Sequence, residues 1–233
     1  MYKILKFLAD EYMETRWFSL PSTTGMQRTR PSITELAFLV CGVLIVLVGW
    51  IADFLGLFEI ASQPTGHGSS TTFPLRLFMT MFGVAFSTIG VGFENFPQIL
   101  LGGDRAKRFI VALLFLADGS LHLYAFNDHL GDRFSAAFFA FFSAVQLAAA
   151  FVIPYTKYRL ESIWLAITVF LILAYIATRT MAIWPIGFVE EVEPLGIVSK
   201  LVELVTVLVL VSLLQSDRAS RRQPMPVASP SDR

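Results

Sequence analysis

The sequence predicts an all-α, polytopic membrane protein, a bundle of six transmembrane helices with an amphipathic surface helix at its N-terminus. Of its 233 residues, 55% are hydrophobic and only 15% are charged, whereas about a quarter are charged in an ordinary soluble domain. The apolar residues are grouped into long runs, which indicates lipid rather than water as the surrounding solvent. The single cysteine excludes a disulfide framework. The net charge of zero gives no indication of nucleic-acid binding.

Six stretches have nearly the length of about 20 residues that a helix needs to cross a bilayer. Ser32 and Glu35 form a possible capping box at the start of the first span. The fourth span ends at Pro154, and Pro185 follows the fifth, as is typical where helices end. The predicted spans are 34–58, 73–93, 109–129, 134–153, 163–180 and 195–214.

The six-span domain, residues 32–215, is flanked by two segments of different composition. Within residues 1–31, several apolar side chains fall on one helical face, which predicts an amphipathic helix lying on the cytoplasmic surface, against lipid or a partner. These side chains are Met1, Ile4, Leu5, Leu8 and Tyr12. Residues 216–233 are rich in Ser, Pro and Arg, which predicts a disordered cytoplasmic tail.

The distribution of basic residues predicts the orientation of the chain in a cell inner membrane. If the N-terminus is cytoplasmic, 14 of the 18 Lys and Arg residues fall on the cytoplasmic side. Cytoplasmic loops carry an excess of basic residues in membrane proteins. Both termini are therefore expected in the cytoplasm.

Reporter fusions test this orientation directly. A reporter fused at Gly68, in the first predicted outer loop, and one fused at Ser216, after the last span, are expected to report opposite sides of the membrane. Detection of both reporters on the same side would contradict the six-span arrangement.

The third span carries ionisable side chains that are costly in hydrocarbon and so indicate a functional site. Asp118, His122 and His129 lie on one face of the helix. A carboxylate and two imidazoles could bind a transition metal such as copper, zinc or iron, or they could relay protons. Residues seven apart are separated by about 10 Å along a regular helix. His129 could share an ion with His122 only if the helix broke near Asn127.

A second polar set flanks the loop between the fifth and sixth spans. Glu203 joins Asp118, His122 and His129 as a metal or proton-relay candidate, because the predicted topology places all four in the outer half of the membrane. We expect His122 to face Glu203 across the third and sixth spans, Asp118 to contact another polar group, and His129 to lie near the acidic loop. The supporting polar residues are Gln146, Arg179, Glu191 and Lys200. Alternatively, Lys200 and Glu203, three residues apart on one helix, could simply pair with each other.

The second half of the chain resembles a group of prokaryotic polytopic membrane proteins to which no activity is attached. The resemblance rests on His122-x6-His129, Gln146, Arg179-Thr180, a Pro-Gly turn at Pro185 and Gly187, and Ser199-Lys200-x2-Glu203. It implies that these residues act together. Asp118 and His122, with a further His, also resemble the copper site of the membrane subunit of copper monooxygenases, although the second His lies farther along the chain there.

Three functions are compatible with the sequence. The first is a membrane protein with a polar or metal site, in redox chemistry or metal handling. The second is a non-catalytic subunit that packs against other membrane subunits. The third, a transporter, is the weakest, because no internal repeat or broken-helix pair is present. A nucleotide-binding motif is also missing, which excludes ATP-driven transport by this chain.

Overall fold

The computed structural model describes residues 32–62, 72–100, 103–155, 160–182, 184, 186–187 and 189–222, and only the backbone within 93–100 and 217–222. These described residues form seven helices and no strands. Six of the helices are long and apolar enough to cross a membrane. The predicted N-terminal helix lies outside the described residues. The helices are α1 Ile33–Phe54, α2 Leu57–Ser62, α3 Phe73–Leu100, α4 Asp104–Asp128, α5 Arg133–Val152, α6 Glu161–Thr180 and α7 Pro194–Arg222.

The helix boundaries differ most from the predicted spans in four places, one of which is the start of α4 at Asp104, five residues before the predicted span. The first predicted span is divided into α1 and the short α2, because Gly56 between them adopts a φ of 73°. That left-handed conformation ends helices and is open mainly to glycine. α3 continues to Leu100 and α7 to Arg222, since a helix can run on beyond the apolar stretch that would lie in hydrocarbon.

Of the two hydrogen bonds expected for the capping box at the start of α1, the structure has the one to Ser32. The Ser32 hydroxyl accepts a hydrogen bond from the Glu35 backbone N–H at 3.0 Å, as an N-cap serine does. The Glu35 carboxylate instead accepts a bond from the Tyr155 hydroxyl at 2.9 Å. At the start of α5, Asp132 caps the helix, and its hydrogen bond from the Ser135 hydroxyl lowers the pKa of this carboxyl below its usual value.

The first two long helices, α1 and α3, pack at very close range. A Cβ atom at Gly42 would lie 1.9 Å from the Ser87 hydroxyl, and one at Gly83 would lie 2.8 Å from the Gly42 carbonyl oxygen. Small residues at such an interface let two backbones approach, which is how helices commonly associate in membranes.

α4 is the central helix of the bundle and positions most of the polar side chains. It packs against α1, α3, α5 and α7, while α6 packs against α7. Buried apolar side chains such as Phe115 and Leu116 fill its contacts with these neighbours. We call the upper end of the bundle the one at which α1, α4 and α6 end and α3, α5 and α7 begin.

A partly buried ion network, which we call the Arg76 clamp, joins the upper ends of α1, α3 and α4. The Arg76 guanidinium donates two bonds to Asp128, at 2.6 and 2.7 Å, and a third to Asp53 at 2.8 Å. Asn127 donates to the second Asp53 oxygen at 2.8 Å and accepts a bond from the Trp50 indole. No pattern in the sequence predicted this clamp, so it is a finding of the structure.

Candidate metal centre

Three buried ionisable side chains meet between α4 and α7. Asp118 and His122 lie one turn apart on α4, and Glu203 lies on α7; none is more than 3% exposed. One potential ligand atom from each lies within 4.8 Å of the other two, and His122 Nε2 is 3.9 Å from the nearer Glu203 oxygen. The predicted juxtaposition of His122 and Glu203 is therefore confirmed. At about 1.5 Å of rise per residue, both α4 residues lie roughly 10–15 Å below the upper end.

The side chain of Gln146 on α5 connects Asp118 to His122 and fixes the orientation of the imidazole. Its side-chain NH₂ donates to Asp118 Oδ2 at 2.5 Å, so its carbonyl oxygen must face His122 Nδ1, which lies 2.7 Å away. That oxygen can only accept, and Nδ1 must therefore carry the proton. In the neutral imidazole, Nε2 then presents a lone pair toward Glu203.

Two residues of α7 complete the surroundings of the carboxylates. The Ser199 hydroxyl donates to Asp118 Oδ1 at 2.7 Å. The Lys200 ammonium donates to one oxygen of Glu203. The pairing of these two residues, three apart on one helix, was the simplest interpretation of the sequence and is present. The second oxygen of Glu203 is buried without a hydrogen-bond partner among the described residues.

The charges in this cluster do not balance if both carboxyl groups are ionised. Of the fixed cations that the structure describes, Lys200 is the one that contacts Glu203 or Asp118. One positive charge therefore faces two buried carboxylates, and a buried uncompensated charge is expensive. A proton or a bound cation must supply the difference. The free Glu203 oxygen and the Nε2 lone pair are the atoms available to hold it.

The remaining predicted site residues lie at the rim, nearer the upper end. α4 continues without a break to Asp128, so His129 caps the helix and does not join His122. Its Nε2 lies 3.6 Å from Glu190, as expected for a residue close to the acidic loop. Arg179 pairs with Glu190 instead of contacting Asp118 or Glu203. Glu191, the carboxylate that we had singled out in this loop, is exposed; its neighbour Glu190 makes these contacts.

A cavity of about 340 Å³ lies between the rim and the candidate metal centre. Its walls come from α4, α5, α6, α7 and the loop before α7, and its lining includes Arg179 and Glu190 at the rim and His122 and Lys200 at the deep end. This volume is within the range of about 300–1,000 Å³ that is usual for ligand pockets.

Several residues of this region were not identified from the sequence. Ser199 was part of the resemblance but was not chosen as a site residue, although it lies on the same helix face as Glu203, four residues away. Phe139 contacts both histidine rings, with centroids 5.7 and 4.8 Å apart. The Tyr175 ring lies 4.3 Å from the Arg179 guanidinium carbon. Their aromatic character alone could not distinguish them among 22 Phe and six Tyr residues.

A comparison of the chain with protein-family models, curated proteins and solved structures found no match. The functional argument therefore depends on the geometry of the site.

Proposed function

We propose that this chain is an integral inner-membrane protein that binds a divalent first-row transition-metal ion through Asp118, His122 and Glu203, in the outer half of its helix bundle. The observation that carries the proposal is the pair of unsatisfied ligand atoms, His122 Nε2 and the free Glu203 oxygen, in a buried cluster that lacks one positive charge. A divalent cation would supply that charge, with one positive charge in excess, and would use both atoms.

The distances and the ligand types support this proposal. Two ligand atoms about 2.0–2.2 Å from one zinc ion can be at most about 4.4 Å apart, and His122 Nε2 lies 3.9 Å from Glu203 Oε1, the oxygen that Lys200 also contacts. The set spreads to 4.8 Å at most, so a side-chain adjustment of roughly 1 Å would close it around an ion. Imidazole and carboxylate ligands favour divalent zinc or iron over Cu⁺, which prefers sulfur ligands.

The surrounding hydrogen bonds also resemble those of metal centres. A metal-bound histidine usually donates its other ring N–H to an oxygen atom, which orients the ring. Here Gln146 accepts from His122 Nδ1, and its own NH₂ is fixed by Asp118. The Ser199 bond similarly orients the Asp118 carboxylate.

Cobalt binding tests the proposal, because Co²⁺ in a site of this kind absorbs visible light. We expect the purified, chelator-treated protein to bind about one equivalent of Co²⁺, displaceable by Zn²⁺. Loss of an orienting partner typically weakens metal binding about 10–100-fold. We expect that loss for Gln146→Leu, and at least about 100-fold for His122→Ala or Glu203→Gln, which remove a ligand.

His129→Ala is the matched control, because it removes a histidine from the same helix but outside the proposed set. Its Co²⁺ affinity is expected to equal that of the unsubstituted protein. Absence of Co²⁺ binding, or equal losses in the two histidine variants, would contradict the metal site. The polar cluster would then be a structural ion network, as expected of a non-catalytic subunit of a larger membrane complex.

A further inference from the structure

We infer that the cavity above the metal centre binds an uncharged aromatic molecule that carries a carbonyl or hydroxyl oxygen at its deep end. The inference rests on the shape and lining of the cavity and does not require that a metal be bound.

The walls of the cavity favour a flat, apolar body. Its lining includes Phe134, Phe138 and Phe139 of α5 together with Tyr175 and Leu171 of α6. Aromatic side chains bind ring systems well, because stacked or edge-to-face contacts add about 0.5–1.5 kcal/mol to the burial of apolar area. Lower down, Phe138 and Phe142 contact Phe170 across α5 and α6, with ring centroids 6.4 and 5.8 Å apart.

The deep end of the cavity is polar, which argues against a simple lipid chain as its occupant. His122, Ser199 and Lys200 line this end. A lipid entering from the upper end would keep its head group at the rim and place its hydrocarbon tail against these polar groups. Covering a polar group with hydrocarbon costs about 1–3 kcal/mol in proteins. A ligand with a polar group at its leading end avoids that cost.

The charges at the deep end determine which polar group is favoured. Lys200 has three N–H donors and uses one for Glu203. A hydrogen-bond acceptor on the ligand can use another. Lys200 is already paired with Glu203, so it offers an anion no unpaired positive charge, and burying an unpaired charge is costly. An uncharged carbonyl or hydroxyl oxygen accepts from Lys200 without that cost.

Photolabelling with benzophenone, an uncharged aromatic ketone that inserts into nearby C–H bonds under ultraviolet light, tests the inference in the full-length protein. We expect label in peptides containing Leu121–Ala125 and Leu195–Lys200. 2-Acetylnaphthalene should suppress this labelling at several-fold lower concentration than 2-ethylnaphthalene, which has nearly the same shape but no oxygen. Equal competition by the two naphthalenes, or label confined to other surfaces, would overturn the inference.

Two pairs of variants separate the cavity from non-specific partition into detergent or lipid. Ala174→Trp fills the cavity from α6 and is expected to abolish the labelling, whereas Ala166→Trp on the exposed face of the same helix is expected to leave it unchanged. Lys200→Met should retain labelling but lose the preference for 2-acetylnaphthalene, while Lys107→Met, at the other end of the bundle, retains it. A preference that survived in Lys200→Met would contradict the role of Lys200. Equal labelling of the Ala174→Trp and Ala166→Trp proteins would indicate partition into detergent or lipid and would overturn the inference.

Discussion

Replacing Arg76 by methionine is expected to lower the free energy of unfolding by about 3–5 kcal/mol, the cost typical of removing one partner from a buried ion pair. The Asp53 side chain is only 2% exposed and depends on Arg76 for its compensating charge. Asp128 is 30% exposed and can be solvated by water, so most of the loss arises at Asp53. Arg76→Lys should lose less, since the ammonium keeps the positive charge beside Asp53 but cannot form the forked bonds to both carboxylates.

Reversible unfolding in detergent, followed by circular dichroism, measures this effect. Arg133→Met is the matched control, because Arg133 is an exposed arginine that also lies at the upper end. Its effect should stay within about 0.5 kcal/mol, as for most surface substitutions. Adding Asp53→Asn to Arg76→Met should recover part of the lost stability, since the uncompensated carboxylate is then absent. If Arg76→Met were no more destabilising than Arg133→Met, the clamp would not hold the three helices together.

The six helices were predictable because each needs a long apolar run, and such runs are visible in a single sequence. The ends of the helices were less predictable. Gly56 divides α1 from α2 because it adopts a positive φ. The sequence does not show which glycine will do so, since many glycines in apolar runs leave a helix intact. The partner of Glu35 is Tyr155, 120 positions away in the chain, so no local pattern could indicate it.

The proximity of His122 and Glu203 was predictable, because the rise per residue places the two side chains at similar depths in the membrane, on spans that run in opposite directions. The role of Gln146 was only partly predictable. A glutamine in a span indicates a hydrogen bond between helices, but not that one amide would join both Asp118 and His122. The partner of Arg179 was not predictable, because the loop that supplies Glu190 folds back to the end of α6, where the Glu190 N–H donates to the Thr178 carbonyl.

Replacing Lys200 by methionine is expected to have opposite effects on the metal-free and metal-bound proteins. Without metal, the variant leaves two buried carboxylates, Asp118 and Glu203, with no fixed cation beside them, so we expect its thermal unfolding temperature to fall. Its Co²⁺ affinity should rise at least about tenfold, which corresponds to about 1.4 kcal/mol of binding free energy. The Lys200 charge competes with a metal ion for Glu203, and removing it ends that competition.

The two effects can be measured together as the unfolding temperature of each protein with and without Co²⁺, because a ligand stabilises a fold by an amount set by its concentration relative to its Kd. We expect Co²⁺ to stabilise Lys200→Met more than the unsubstituted protein. Lys107→Met, which removes a lysine that contacts Ser216 at the other end of the bundle, should respond to Co²⁺ as the unsubstituted protein does. If Lys200→Met were destabilised but Co²⁺ restored nothing, then Lys200 would be a structural counter-ion of Glu203, and the positive charge that balances Asp118 would be a proton.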